Sequence, residues 1–163
     1  MDHTTADSLN AAIRTLALRH RARAGALLSE VGLFPGQEFL LMELGTRGPM
    51  IQAKIAEAIW CEPPSVTLMV RKLESAGYVA RRASTIDRRA TVVELTDAGR
   101  ELIQRLHELW ATLAGDATEG MSQDSIATAT RLTAQLAENL GRKKGADSPH
   151  LWQLRAGSDA PST

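Results

Sequence analysis

Aromatic residues and long apolar runs are scarce in this sequence. Only 4% of the residues are aromatic, so any core must consist mainly of leucine, isoleucine, valine and alanine, which favours helices over a β-sandwich. No apolar run approaches the roughly 20 residues of a membrane-spanning helix, and residues 1–10 lack the apolar stretch of a signal peptide. We therefore expect a soluble, cytoplasmic protein.

Cysteine and clustered histidine are also missing. A single cysteine, Cys61, excludes an intramolecular disulfide and leaves a thiolate-rich metal site without ligands. The four histidines are far apart and form no HxxxH or HExxH pair, and no glycine-rich nucleotide motif or G-x-S-x-G is present. No enzyme, cofactor or metal is predicted. Cys61 is interpreted as an inert thiol at a helix end rather than a redox sensor, because acidic Glu62 is its neighbour.

Net charge is absent as well, but the charges are unevenly distributed. The 19 basic residues balance the 19 acidic ones. Between residues 81 and 89, however, Arg81, Arg82, Arg88 and Arg89 are opposed only by Asp87. A basic cluster of this kind on a neutral body is sufficient to contact phosphates.

Amphipathic patterns at both ends of the chain predict long helices. Apolar residues three and four positions apart indicate a helix over residues 8–31, capped by Asp7 or Ser8 and stopped at Gly32. Thr96 is expected to cap a second helix and Ser122 a third, each with a leucine stripe. These stripes need a partner, and a second copy of the chain is the expected one.

The middle of the chain has the pattern of a helix-turn-helix followed by a β-hairpin. Helices are expected over residues 35–44, 52–60 and 65–76, and strands over residues 78–82 and 90–95. Pro35 is expected at the first helical position, and residues 45–49 are expected to break that helix. Pro63 and Pro64 predict a tight connection, but Pro64 can also start the helix that follows, and Gly77 is placed to end that helix. The predicted fold class is mainly α: a winged helix-turn-helix with a two-stranded β wing, plus N- and C-terminal helices that form a dimerisation region.

This arrangement is suited to DNA, because the major groove accepts one α-helix while a second helix fixes its angle. Ala56 and Val66 are spaced to pack where the two helices cross. The outward face of the second helix presents the predicted groove contacts Ser65, Thr67, Leu68, Arg71 and Lys72. Hydroxyls can bond phosphates or base edges, Arg71 can fork onto a guanine, and Leu68 can contact a thymine methyl. In the wing, the predicted contacts are a phosphate contact from Arg82 and minor-groove contacts from Arg88 and Arg89, with Asp87 orienting a guanidinium.

Several motifs in this region occur in a distinctive order. They are Ile55-Ala56-Glu57, Pro63-Pro64-Ser65-Val66-Thr67, Leu73-Glu74-Ser75-Ala76-Gly77-Tyr78-Val79, Asp87-Arg88-Arg89 and Leu95-Thr96-Asp97-Ala98-Gly99-Arg100. With this spacing, residues 37–101 resemble the MarR family of bacterial regulators. Three places depart from the family pattern. Trp60 stands where such turns commonly carry glycine, Leu68 where a polar or basic residue is frequent, and Thr85-Ile86 where a proline and a polar residue often precede the aspartate.

The resemblance implies a homodimer that binds a pseudo-palindromic operator in double-stranded DNA. By the family's habit the protein is a repressor released by a small anionic or phenolic effector, or by an oxidant. Asp87 and Arg89 then occupy the positions of the wing's aspartate and its minor-groove arginine. An effector cleft between the winged helix and the dimerisation helices is a weaker hypothesis, with Arg14, Arg19, His20, Met42, His107 and Trp110 as its candidate residues. His20, His107 and Trp110 are more ordinarily core residues.

Four segments are therefore expected along the chain. They are an N-terminal dimerisation helix over residues 1–34, the winged helix-turn-helix DNA-binding domain over 35–100, C-terminal dimerisation helices over 101–141, and a polar tail over 142–163 that contains Trp152. The alternative to a DNA-binding regulator is a winged helix used for protein–protein contact. A basic stripe through Arg71, Lys72 and Arg89 distinguishes the two.

Overall fold

A computed structural model describes residues 2–85, 87 and 89–141; Arg88 and the predicted tail, 142–163, lie outside the described residues. The helices are α1 (His3–Glu30), α2 (Gln37–Arg47), α3 (Gln52–Ala58), α4 (Pro63–Ser75), α5 (Asp97–Ala117) and α6 (Gln123–Gly141), and the strands are β1 (Met50–Ile51), β2 (Val79–Ala83) and β3 (Thr91–Leu95). None of the helices described here has the length and apolarity to cross a membrane. The predicted fold class, a mainly α winged helix, is confirmed.

Helix α1 begins earlier than expected. The Asp2 carboxylate accepts the Thr5 N–H at 2.8 Å and caps the helix, so the prediction of a cap at Asp7 or Ser8 is wrong. Both predicted caps lie inside the helix. There the main-chain N–H groups bond carbonyls of the preceding turn, so a side-chain cap is not needed. The predicted stop is confirmed: Gly32 follows the helix with φ of +73°, a conformation that suits glycine.

Helix α2 does not begin at Pro35. The chain turns through Gly36, whose φ is +102°, and the helix starts only at Gln37. Two side chains close this turn: the Gln37 amide oxygen accepts the Phe34 N–H at 2.9 Å, and the Glu38 carboxylate accepts the Gly36 N–H at 2.6 Å. Burial of the Glu38 carboxyl raises its pKa above the usual value. These contacts place Pro35 in the turn rather than in the helix.

Helix α2 ends within the predicted break over residues 45–49, but not at its first glycine. Helix α2 continues through Gly45 to Arg47 and ends at Gly48, whose φ is +75°. A Cβ atom at position 45 would lie 2.7 Å from Cδ1 of Ile103 in α5. Glycine is therefore used here for the close approach of two helices and not for a turn.

Both prolines lie in the first turn of α4, so Pro64 takes part in the start of the helix as predicted, and Pro63 does so as well. The helix begins at Pro63, with Glu62 at the cap position, so the connection is shorter than predicted. Proline is tolerated there because the first N–H groups of a helix have no intrahelical partner. As expected, Gly77 follows the helix with a positive φ, +80°.

The wing belongs to a three-stranded antiparallel sheet of order β1-β3-β2. Strands β2 and β3 form the predicted hairpin, with Val79 opposite Leu95. The sequence did not indicate β1, whose Met50 pairs with Val93. A strand of two residues is too short to show an alternating pattern.

Thr96 links the sheet to α5. Its hydroxyl accepts the Gly99 N–H at 3.1 Å, as predicted for the cap, and donates to the Gly77 carbonyl at 2.6 Å. The core beneath is formed by leucines, isoleucine and valines of α1, α2, α3, α4, the sheet and α5; its fully buried members include Leu28, Leu40, Leu41, Leu44, Ile55, Val66, Val70, Leu73, Val93 and Leu106. Ser122 caps α6 as predicted, accepting the Ser125 N–H at 3.2 Å, but no residue of α6 is buried.

Candidate nucleic-acid interface

Helices α3 and α4 form the helix-turn-helix. Ala56 and Val66, the pair expected at the helix crossing, are both buried in the same core. On α4, Val66, Val70 and Leu73 turn inward. Because residues four and seven positions apart share a helix face, the opposite face is formed by Pro64, Leu68, Arg71, Lys72 and Ser75, all of which are exposed.

The turn between these helices contains a strained residue. Trp60 has φ of +54°, the only positive φ of a non-glycine among the described residues, and its side chain is 61% exposed. The turn is closed by the Cys61 N–H, which donates to the Ala56 carbonyl at 2.9 Å. This conformation explains why glycine is common at the position: a left-handed backbone costs an L-residue about 1–2 kcal/mol. The sequence alone provided no account of Trp60.

Two of the predicted contacts of α4 lie on its flanks. Ser65 and Thr67 are half-buried. The Thr67 hydroxyl donates to the Pro63 carbonyl at 2.9 Å and accepts a hydrogen bond from the Gln52 side chain at 2.8 Å. The single hydroxyl proton of Thr67 is therefore used within the fold. Sequence reasoning missed Gln52, because only the folded chain brings α3 beside α4.

Lys72 has a partner that the sequence also did not indicate. Its ammonium nitrogen lies 4.4 Å from the centroid of the Phe34 ring, in a cation–π contact. Phe34 precedes α2, so the contact joins the exposed face of α4 to the segment between α1 and α2. Arg71 and Lys72 line the same shallow groove beside Phe34.

Arginines of the hairpin stem pair with carboxylates. Arg81 binds Glu74 of α4 with an Nε–Oε2 distance of 2.8 Å, and this hydrogen bond holds the pKa of the Glu74 carboxyl below its usual value. Arg82, a predicted phosphate contact, lies 3.2 Å from Glu94 on the neighbouring strand. These two ion pairs partly neutralise the basic cluster between residues 81 and 89. The positive charge described at the tip of the hairpin is that of Arg89, whose side chain is exposed.

The wing tip is shaped by Asp87. Its carboxylate accepts the main-chain N–H of Arg89 at 2.9 Å, and its carbonyl accepts the N–H of Ala90 at 2.9 Å. The hydrogen bond described for the Asp87 carboxylate goes to the backbone, and the expectation that Asp87 orients a guanidinium stays a prediction, because Arg88 lies outside the described residues. Asp87 holds the loop in a tight turn. The Arg89 side chain is exposed, beside a groove lined by Gln52 at the start of α3; Arg88, the other predicted tip contact, lies outside the described residues.

The six candidate effector residues do not share one cleft in this chain. Met42 and His107 line a cavity of about 710 Å³ between α2, β3 and α5. Arg19 and His20 line a second cavity, of about 340 Å³, between α1 and α5. Candidates Arg14 and Trp110 line neither cavity: Arg14 is exposed on α1, and Trp110 is half-buried against the core.

The interpretation of His20 and His107 as core residues is wrong for the single chain. Both side chains are exposed. The prediction assumed that the leucines on the same helix faces belong to the core. On α1 this is not so, because Leu16 on the face of His20 is itself 56% exposed. Cys61, in contrast, is buried at 6% exposure, which agrees with the inert thiol predicted at this helix end.

Helices α3 and α4, with the hairpin that follows, define the class of winged helix-turn-helix proteins. Residues 34–91 match the sequence model of the MarR family. The chain is 29% identical over 111 residues to the HTH-type transcriptional repressor MdtR of Bacillus subtilis, an alignment that covers 68% of this chain and 72% of that protein. The family model thus covers the segment from α2 to the start of β3.

Solved structures show the same fold. The YusO protein of Bacillus subtilis superposes with a TM-score of 0.70 and 24% identity, over 85% of this chain and 98% of that one. A cysteine-to-serine mutant of MarR from E. coli, complexed with operator DNA, superposes with a TM-score of 0.69 and 20% identity, over 83% of this chain and 99% of that one. At these identities the likeness concerns the fold.

Proposed function

We propose that this protein is a sequence-specific DNA-binding transcriptional regulator of the cytoplasm, and not an enzyme. The observation that carries the proposal is the exposed face of α4, with Arg71 and Lys72, followed in the chain by a hairpin whose tip exposes Arg89. In a helix-turn-helix the second helix enters the major groove while the first crosses the backbone. The hairpin then supplies a second grip on the neighbouring groove.

We propose further that the protein acts as a homodimer on a pseudo-palindromic operator. No residue of α6 is buried, and its apolar residues Leu132, Leu136 and Leu140 are exposed at helical spacing. On α1, Leu9 and Ile13 are exposed in the same way. Two exposed apolar stripes need a partner surface, and a second copy brings both stripes at once. Segments 1–34 and 101–141 then serve as the dimerisation region.

The experiment that tests DNA binding uses the fragment upstream of the protein's own gene, titrated in a salt series. We expect tight, sequence-selective binding whose affinity falls steeply with salt, because arginine and lysine side chains displace counterions from phosphates. Arg89→Ala should weaken binding roughly tenfold and make the salt dependence shallower.

A matched control is Arg105→Ala, which removes an equal charge from an exposed position on α5. Affinity and salt dependence should stay as in the unmodified protein. Equal losses in the two variants would indicate nonspecific attraction of charge rather than a wing contact. Failure to prefer any sequence even at low salt would contradict the proposed function and favour the alternative, a winged helix that contacts another protein.

Repression released by a small anionic or phenolic effector completes the proposal. The cavity between α2, β3 and α5 combines apolar Met42 and Ile103 with polar His107 and Arg100. Such a mixture suits a small aromatic anion. Because α5 continues from the wing into the proposed dimerisation region, a ligand there can change the separation of the two α4 helices and favour a dimer that does not match one turn of DNA.

2-Hydroxybenzoate is a simple probe for this cavity. We expect it to raise the unfolding temperature and to lower DNA affinity in parallel, with both effects reduced in His107→Ala. His20→Ala, in the other cavity, is the matched control and should respond like the unmodified protein. The reverse ranking of the two variants would place the effector in the cavity between α1 and α5.

A further inference from the structure

The first half of α4 offers few hydrogen-bond donors. Pro63 and Pro64 have no N–H, so two of the groups that a helix normally leaves free at its start are missing. After Ser65, the next main-chain N–H is that of Val66, and it already donates to the Glu62 carbonyl at 3.1 Å. In a helix-turn-helix, the N-terminal part of the second helix is the part that contacts base edges.

The Thr67 hydroxyl does not supply the missing donors. The proton of Thr67 is donated to the Pro63 carbonyl at 2.9 Å, and the same oxygen accepts the Gln52 amide at 2.8 Å. Rotating the Thr67 hydroxyl towards DNA would therefore give up an existing bond. Polar readout from this half of α4 is left mainly to Ser65, which is half-buried on the flank.

An apolar side chain occupies the centre of the exposed face instead. Leu68 lies opposite the buried residues Val66 and Val70, and 56% of its surface is exposed. Pro64 precedes it by one turn and is also exposed. A lone exposed leucine is unremarkable on most surfaces. On a helix face that enters a groove, however, it lies among base edges, where the one apolar feature is the 5-methyl group of thymine.

We propose that Leu68 determines operator sequence by packing against the 5-methyl group of a thymine in each half-site. This inference rests on the proposed DNA-binding function and names the base that the function requires. The donor-poor start of α4 strengthens it, because a polar base edge placed there would lose water without gaining a partner. Thymine provides the matching apolar surface, and Arg71 on the next turn remains free to bond a neighbouring guanine or phosphate.

Replacement of thymine by uracil is the sharpest test, since it removes one methyl group and keeps every hydrogen bond of the base pair. A short duplex recovered by the full-length protein from a random pool serves as the probe. Each thymine of its bound region is replaced in turn by 2′-deoxyuridine. We expect about fourfold weaker binding at one position of each half-site, and about fifteenfold when both positions are changed, from the transfer energy of one methyl group at each.

Variants of Leu68, each measured with the thymine and the uracil duplexes, form a double-mutant cycle. Leu68→Ala should bind thymine and uracil duplexes equally well, and Leu68→Met, which keeps an apolar side chain of similar reach, should retain the preference. Because Leu68 is exposed, truncation leaves the fold intact, and far-ultraviolet circular dichroism with the unfolding temperature checks this. Ser75→Ala, also exposed on this helix but at its end, is the matched control and should keep the full thymine preference.

The possible failures are distinguishable. A selected site that binds tightly but responds to no thymine replacement, or that contains no thymine, overturns the role of Leu68 and leaves the regulator intact. A methyl effect that persists in Leu68→Ala assigns the contact to another residue and overturns the inference as well. Absence of any selected sequence contradicts the proposed function itself, and with it this inference.

Discussion

In α4 the apolar side chains Val66, Val70 and Leu73 are buried within the chain, whereas the leucines of α6 form an equally regular stripe that is exposed. Both helices have the same kind of amphipathic sequence. The difference shows that an amphipathic pattern predicts a buried face but does not say in which molecule the face is buried. The apolar stripe of α4 is buried within the chain, and for the stripe of α6 we propose a second copy of the chain as the partner.

The largest expected effect is in the self-contained region. Leu73→Ala should lower the free energy of unfolding by about 2–5 kcal/mol, because it leaves a cavity around a fully buried side chain. Chemical denaturation followed by circular dichroism measures the loss, which should not change with protein concentration. A concentration-dependent loss would mean that the core around α4 also requires the dimer.

The matching change in the exposed stripe is Leu136→Ala. Leu136 is 37% exposed in the single chain, so we expect its truncation to act through the dimer and to weaken it by about 1–3 kcal/mol. Sedimentation equilibrium measures the dissociation constant, and the unfolding temperature should fall most at low protein concentration. If the unmodified protein sediments as a monomer, the comparison between the two regions fails.

A smaller effect is expected in the turn between α3 and α4. Trp60→Gly should raise the free energy of unfolding by about 1 kcal/mol, since glycine adopts a positive φ without the Cβ penalty. Trp60→Ala is the control, because it removes the indole but keeps the Cβ atom, and it should give no such gain. Equal stabilisation by both variants would show that the exposed indole, not the backbone, is unfavourable.

The smallest expected effect concerns Cys61. The thiol is buried at the end of the α3 turn, so Cys61→Ser should leave the peroxide sensitivity of DNA binding unchanged. Gel-shift titrations with and without hydrogen peroxide check this. Loss of a peroxide response in the serine variant would identify Cys61 as a redox switch.

Much of the fold could be predicted because its signals are local. Gly32, Gly77 and Thr96 act within a few residues of their own positions, and each was assigned correctly. Two details were not predicted: Pro35 precedes α2, and α2 passes through Gly45 before it ends. The Gln37 and Glu38 side chains close the turn around Pro35, and the close packing of Ile103 explains glycine at position 45. The contacts around Pro35 are local, but proline is equally typical of a first helical position; the contact of Gly45 with Ile103 joins residues distant in sequence, which no local pattern indicates.

The candidate interface was predicted in its parts but not in its chemistry. The sequence by itself determined the helices, the hairpin and the exposed positions of Leu68 and Arg71, because helical periodicity and turn residues are properties of short segments. Only the tertiary structure decided that Thr67 bonds Gln52, that Lys72 lies over the Phe34 ring, and that the two arginines of the hairpin stem are paired. These contacts join residues distant in sequence, whose approach depends on packing of the whole chain. In α4, exposure of a side chain thus follows from its position on the helix, whereas its availability to a partner is set by the fold.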